Sequence, residues 1–309
     1  MGVTIFVTGH LGYIGRYLIN RLLKIPVVTK VVGYDIAEGD DILDLNNLIR
    51  KMSNVSPFIV IHLAALSNIT ECNENPQKAI KYNAQGTRNV IYAMRICSCK
   101  NIIYASSCAV YQDTKSSVIN EKTPSRPDSV YGFTKLLGEQ VIFNEFFNND
   151  GSYLIFRMFN VVGGGSLVGG HDRIFSALSK GEITLYGDDY ETYDGSCVRD
   201  YISLDDVCEA YCRGCEMFIS TQSVKESINI CFGKSYSVFQ LIDIWNNINR
   251  NLNFYQNCKS VSVTYGYRRL GDRAQIYGDN SFSQFLLKWR PSTDLYDIVV
   301  NHIIKLKRN

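Results

Sequence analysis

A strand runs into a glycine-rich turn and an amphipathic helix at the N-terminus, and an aspartate closes the strand that follows. Strand–helix alternation then persists to about residue 160. Together these predict a doubly wound parallel α/β sheet, open at its edges. Past residue 160 the alternation stops, and the remainder predicts a smaller C-terminal α/β substrate domain. The expected division is 1–160 for the first domain and 161–309 mainly for the second, with segments near 198–225 returning to the first. At 309 residues the chain has ample material for both cores.

Val3 to Val7 is a short β-branched and aromatic run, read as a buried strand. It enters Thr8-Gly9-His10-Leu11-Gly12-Tyr13-Ile14-Gly15, and an amphipathic helix follows to about Lys24. In this G-x-x-G-x-x-G the first glycine permits the tight turn and the second lets backbone approach a pyrophosphate. The third lets the helix pack against the sheet. The helix N-terminus faces the phosphates. Asp35 ends the strand Lys30–Tyr34, twenty residues past Gly15, where a carboxylate accepts from ribose hydroxyls. No arginine stands beside it for a 2′-phosphate, which favours NAD over NADP.

Only five residues separate Asp35 from Asp41-Ile42, too few for the usual helix. A truncated second crossover is expected, with Asp41 and Ile42 near the adenine. Phe58 to Leu63 reads as the next buried strand, ending in His62-Leu63-Ala64-Ala65. Small residues at that carboxyl end let a cofactor lie across the sheet edge. His62 lies within the apolar strand and is read as a satisfied core histidine. Pro76 opens a long helix to about Cys99 that carries Asn83. The strand Ile102–Tyr104 leads into Ala105-Ser106-Ser107, so Ser107 sits where open sheets place their chemistry. The helix containing Tyr131 runs to about Asn148, and Tyr153–Phe159 is a further strand. Gly163–Gly165 and Gly169-Gly170 mark the crossing to the second domain.

Tyr131 and Lys135 are four residues apart on one helix, which stacks phenol and ammonium a turn apart. A tyrosine ordinarily titrates near ~10, and a neighbouring cation lowers that value toward a usable base. Ser107 would supply the second hydrogen bond to the reacting oxygen. In the second half, two separated arginines, Arg199 and Arg269, and an aromatic, Tyr186, suit a diphosphate and a base, although surface salt bridges explain the arginines equally well.

The net charge of +2 gives no reason to expect nucleic acid or acidic membranes as partners, and no apolar run reaches membrane-spanning length. The start lacks a signal-peptide pattern, so a cytoplasmic location is expected. Ten cysteines are scattered, and the single Cys-x-x-Cys, Cys212 and Cys215, has no second pair at zinc spacing. Cys208, Cys212 and Cys215 recur at helical spacing as a buried stripe, and no metal site is expected.

The assembled motifs resemble the extended short-chain dehydrogenase/reductase family, and within it the UDP-glucose 4-epimerases, over nearly the whole chain. T-G-x-x-G-Y-I-G, S-S-x-x-V-Y, Y-G-x-x-K and N-A-x-G-T are shared with many members. The more specific string runs from Gly187-Asp188-Asp189-Tyr190 to Val198-Arg199-Asp200-Tyr201-Ile202. Arg269 to Asp272 is similar to the family's R-x-G-D, and Trp289 with Pro291 to its closing L-x-W-x-P. The resemblance implies a Rossmann-type fold with Ser107, Tyr131 and Lys135 as the catalytic set. It implies NAD held by Gly9, Gly12, Tyr13, Ile14, Gly15, Asp35, Asp41, Ile42, Leu63, Ala64, Ala65, Asn83, Tyr131, Lys135 and Phe159. A UDP-sugar would be held by Ser107, Tyr131, Asn160, Tyr186, Arg199, Arg269 and Asp272. A homodimer through helices around 78–98 and 130–148 is implied as well.

The chain departs from that pattern: Ser67 replaces a phosphate-binding lysine, Met158 a tyrosine, Ile276 occupies the gate position beside the sugar, the Gly163 to His171 crossing is shorter, and the segment after Asp35 is truncated. The implied activity is interconversion of UDP-glucose and UDP-galactose through a transient 4-keto sugar. Alternatives are an epimerase of UDP-glucuronate or UDP-N-acetylhexosamines, a dehydratase or reductase of the same family, and a non-catalytic NAD-sensing module. Cys108-Ala109 stand where the dehydratases place Asp-Glu, which disfavours water loss.

Overall fold

The computed structural model describes residues 2–114, 118–164, 173–220, 223–251, 260–269 and 272–308. The expected crossing glycines Gly165, Gly169 and Gly170, and Leu270 and Gly271 of the R-x-G-D string, lie outside the described residues. The first half contains β1 (Val3–Thr8), α1 (Gly15–Leu22), β2 (Val28–Tyr34), α2 (Leu45–Ser53), β3 (Ile59–His62) and α3 (Ile69–Glu74). Then come α4 (Pro76–Ile80), a π-helical turn (Lys81–Gln85), α5 (Gly86–Ile96), β4 (Asn101–Ser107), α6 (Val130–Phe146) and β5 (Ser152–Met158). The second half contains β6 (Asn160–Val162), α7 (Arg173–Lys180), β7 (Glu182–Tyr186), β8 (Val198–Ser203), α8 (Leu204–Ser220) and β9 (Lys225–Ile230). It closes with β10 (Ser235–Ser237), α9 (Val238–Asn251), β11 (Ser262–Gly266), β12 (Gln275–Ile276), α10 (Ser281–Leu287) and α11 (Leu295–Arg308).

The main sheet is parallel throughout, in the order β2-β1-β3-β4-β5-β9. The chain reverses direction across the sheet between β1 and β3, and open α/β sheets bind ligands at such a point, outside the strands' carboxyl ends. No α-helix forms in the five residues directly after Asp35, but the crossover to β3 still carries α2. After Asp35 comes a 3-10 turn, Ile36–Glu38, closed by Gly39 at φ 81°, and Asp44 then caps α2 by accepting from Asn47 N. The chain passes straight to β3 on the far side of β1, so β2 is left as the sheet's edge.

Two local expectations are corrected. β4 runs on through Ser107 rather than ending at Tyr104, because Ala105 and Ser106 keep pairing with Phe156 and Arg157 of β5. The long helix from Pro76 is interrupted by the π turn carrying Asn83 and stops at Ile96. A π turn inserts one residue and rotates the following face, which sequence periodicity cannot foresee.

Both faces of the sheet are buried. One face packs Ile5, Val7, Ile103, Leu154 and Phe156 against Cys208, Tyr211, Cys212 and Cys215 of α8, so the cysteine stripe is core. The other packs Phe6, Val60, Ile102 and Ile155 against α2, α5 and α6. α8 and β9 therefore rejoin the first sheet after the chain has left it. The remaining segments gather around β8, which pairs antiparallel with β10 and parallel with β6 and β12. Their own core includes Phe175, Trp245, Leu295 and Ile298.

Candidate active site

The cradle is built by the glycines. Gly9 has φ 72°, and a Cβ there would lie 2.7 Å from Ala64 N; one on Gly15 would lie 2.5 Å from the carbonyls of Gly9 and His10. Neither position admits a side chain. A Cβ on Gly12 would meet only Gly9 O, at 3.1 Å, so this glycine faces open space where backbone can meet a phosphate. Asp35 fastens the turn to β2, its two carboxylate oxygens accepting from Leu11 N at 2.9 Å and Ala37 N at 3.0 Å. Each oxygen retains a lone pair for a ribose hydroxyl. Asp40 and Asp41 stand nearby, with Lys51 paired to Asp40, so the surroundings do not suit a 2′-phosphate. Ile42 is pinned over Gly86, and its carbonyl accepts from Asn89 Nδ2 at 3.0 Å. These contacts fit a dinucleotide lying across the carboxyl ends of β1, β2 and β3.

His62 is held between Thr8 Oγ1 at 2.7 Å and Thr87 Oγ1 at 3.0 Å, and burial drives its pKa down to about 3. It is a neutral structural imidazole. Asn83 does not line the cleft. Its carbonyl accepts from Leu66 N at 2.7 Å, and its amide donates to Leu66 O and to Thr134 Oγ1, each at 2.9 Å. It holds the loop after β3 to α6.

Ser107 ends β4, and Tyr131 lies in the first turn of α6, whose start is capped by Ser129 Oγ accepting from Gly132 N at 3.1 Å. A Cβ on Gly132 would lie 2.1 Å from Ala109 O, so only glycine lets the helix come this close to the turn after Ser107. That approach sets Ser107 beside the Tyr131 phenol. Burial pushes the phenol's pKa up, and the nearby Ser107 side chain pulls it down.

Lys135, one turn on from Tyr131, is anchored to the sheet. Its Nζ donates to Ala105 O at 2.7 Å and lies 5.0 Å from the centre of the Tyr104 ring. Burial lowers Lys135 itself to about 8, opposed by the Cys72 and Glu139 side chains. The fourfold spacing brings the two residues to one helix face, but the lysine's head is turned toward the sheet.

One turn further along the same face lies Glu139, fully buried and missed in the sequence reading. It accepts from Ser106 Oγ at 2.5 Å and from Arg157 Nε and Nη2 at 3.0 and 2.6 Å. The Arg157 guanidinium sits 4.8 Å over the Tyr111 ring, and the Tyr111 hydroxyl donates to Asn229 Oδ1 at 2.7 Å. This buried network ties α6, β4, β5 and β9 together beneath the serine. Its signal was the repeat of Tyr131, Lys135 and Glu139 at intervals of four.

The second domain supplies the opposite wall. Arg269 Nε donates to Asp272 Oδ2 at 2.7 Å, and its guanidinium lies 4.4 Å over the Tyr186 ring. Arg199 Nη2 is 3.8 Å from Asp272 Oδ1, while Nη1 donates to Arg273 O at 2.8 Å. Asn160 Nδ2 donates to Asp200 O at 3.1 Å. Asp200 accepts from the backbone N–H groups of Phe232, Gly233 and Gly278, and burial raises its carboxyl to about 6.

One cleft of about 1770 Å³ joins the glycine cradle, Ser107, Tyr131, Lys135, Phe159 and the arginine cluster, with Ile276 on its wall. Single small-molecule pockets span roughly 300–1,000 Å³, so this volume suits two ligands end to end. Every site residue expected from sequence lines it except Asn83. Among the described residues no cluster of His, Cys, Asp or Glu could hold a metal ion, and no helix is long and apolar enough to cross a membrane.

UDP-glucose 4-epimerase of Mycoplasma pneumoniae is 27% identical, the match covering 97% of this chain and 95% of that protein. UDP-arabinose 4-epimerase 1 of Arabidopsis thaliana is 29% identical over 93% of this chain and 75% of its own length. Among solved structures, UDP-glucose 4-epimerase from Brucella ovis in complex with NAD superposes with a TM-score of 0.86 at 28% identity, covering 99% of this chain and 98% of that one. The enzyme from Bifidobacterium longum in complex with NAD+ and UDP gives 0.86 at 25% identity, over 99% of both chains. Residues 5–231 match the model of the NAD dependent epimerase/dehydratase family, and the chain belongs to that family.

Proposed function

We propose that the protein is a UDP-hexose 4-epimerase interconverting UDP-glucose and UDP-galactose. The observation that carries the reading is the single cleft with a dinucleotide cradle at one end, the Ser107–Tyr131 pair in the middle and the Arg199–Arg269–Asp272 cluster at the other. Bound in the cradle, NAD supplies a hydride acceptor and donor, so the reaction has no net redox change, and a positive charge that favours the phenolate. Tyr131 takes the proton of the sugar 4-hydroxyl at its phenolic oxygen and returns it to the transient 4-keto sugar. Ser107 donates to the reacting oxygen, and Lys135 adds its charge at the base of the site. The arginines grip the diphosphate in forked hydrogen bonds, and Tyr186 offers a ring face to the uracil. Anchoring by the nucleotide leaves the sugar loosely held and able to present either face.

Residues 1–160 with the 198–230 return form the NAD-binding part in this reading, and most of 161–309 the UDP-sugar part. A homodimer through α5 and α6 accords with the exposed Tyr92, Ile96, Phe133 and Phe147 on those helices. A cytoplasmic location accords with the nine free cysteines among the described residues. Dehydration is disfavoured because Cys108 follows the serine, with its thiol pushed up to about 11 by burial and no acid pair beside it.

The test is purified protein with UDP-galactose and no added NAD, with UDP-glucose followed by a coupled readout specific for it. Ile276, of intermediate bulk on the cleft wall, keeps one rival in play. Turnover of UDP-glucuronate or a UDP-N-acetylhexosamine without turnover of UDP-galactose would replace the proposed substrate pair.

A further inference from the structure

The segment carrying Arg269 and Asp272 continues into Arg273, which is only 5% exposed. Its Nε donates to Asp128 Oδ2 at 2.7 Å and its Nη2 to Asp128 Oδ1 at 2.9 Å, a two-pronged pair between residues 145 apart in sequence. Nη2 donates also to Tyr111 O at 2.5 Å, and Nη1 to Gln112 O at 3.4 Å. Four of its five N–H groups are therefore spent on the protein, so Arg273 is not placed to grip a ligand. Its partner directly precedes Ser129, the cap of α6, and Tyr131 lies two residues beyond that cap. On the other side, the Arg273 carbonyl accepts from Arg199 Nη1, and Arg199 faces Asp272.

From these contacts we infer that Arg273 and Asp128 are positioning residues that join the diphosphate-binding cluster to the first turn of the catalytic helix. A ligand that settles Arg199, Arg269 and Asp272 thereby sets the Tyr131 phenol against Ser107. The planar fork matters here: two parallel hydrogen bonds fix an orientation, which a single point charge does not. The inference rests on the reading of the cleft as a UDP-sugar site.

Asp128→Asn is the variant of choice, because the Asp128 side chain is 40% exposed and the amide keeps its shape. UDP is the probe. In the native protein, UDP should slow amide exchange at Gly132 and Phe133, the donors to Ser129. In Asp128→Asn that protection should vanish, kcat should fall tenfold or more, and UDP affinity should change by no more than a few-fold. Arg273→Lys should behave alike, because charge is kept while the fork is lost. The double variant Asp128→Asn with Arg273→Lys should be no more than about twofold slower than the worse single, as expected for one shared interaction. Protection that survives in Asp128→Asn, a kcat within twofold of native, or losses that multiply in the double variant would overturn the inference and leave the epimerase reading intact. Failure of UDP to bind the native protein would remove both.

Discussion

Replacing Gly132 with alanine tests whether backbone contact, and not side-chain chemistry alone, sets the active geometry. The added Cβ would lie 2.1 Å from Ala109 O, 2.9 Å from Ala109 C and 3.0 Å from Pro127 Cβ. A comfortable carbon–oxygen approach is about 3.3 Å, so helix and turn must separate by roughly 1 Å. Ala109 follows Ser107 by two residues and Gly132 follows Tyr131 directly, so the displacement falls on the Ser107–Tyr131 contact. A misplacement of about 1 Å can cost ~10²-fold in rate, equivalent to about 2.7 kcal/mol of transition-state stabilisation. The stability effect is smaller, because an overpacking cost of about 1–3 kcal/mol is offset by up to ~1 kcal/mol from the better helix former. Steady-state kinetics, a thermal melt and calorimetric titration with UDP would separate these. The residues proposed to hold UDP are not among the atoms nearest a Gly132 Cβ, so UDP affinity should hold within about twofold. A variant with kcat within threefold of the parent would refute the claim that this approach positions the base.

Tyr131→Phe removes only the phenolic oxygen; UDP binding should persist while kcat falls by ~10²–10⁴, the usual worth of a general base. Near-full activity would exclude Tyr131 from proton transfer. Glu139→Ala leaves the Arg157 guanidinium buried without its carboxylate and should cost about 3–5 kcal/mol in urea denaturation. Asp200 carries a pH signature, because its carboxyl is raised from 3.8 to about 6 by burial. The native state keeps a proton that the unfolded chain has already lost, so this group's stabilisation is full in acid and lost as pH rises through about 6. The swing is about 2 kcal/mol between pH 4 and 7. The stability of wild type relative to Asp200→Asn should fall by about that amount over the range, measured by denaturant titration at several pH values. A flat difference would contradict the assignment.

The glycine cradle and the gathering of Ser107, Tyr131 and Lys135 along one cleft were legible because their signals are local. A β-branched run, spaced glycines and a terminal aspartate specify strand, turn and helix within a few residues of themselves. Ser107, Tyr131 and Lys135 were found from the end of a strand and the start of a helix. Counting alone showed that no α-helix could follow Asp35 directly, since five residues do not make one, but it did not foresee α2 before β3. Contacts between distant segments decided the rest. Asn83 was expected at the cofactor, yet the π turn and the Leu66 and Thr134 partners assign its amide to scaffolding. Lys135 was read from its spacing to Tyr131, and the Ala105 carbonyl and the Tyr104 ring, both on β4, hold its ammonium. The Arg273–Asp128 fork had no readable pattern beyond ordinary charged residues, and for the Glu139–Arg157 pair only the four-residue spacing of Glu139 gave a hint. A charge buried by folding must find its partner wherever the chain brings one, and a linear pattern carries no measure of that distance.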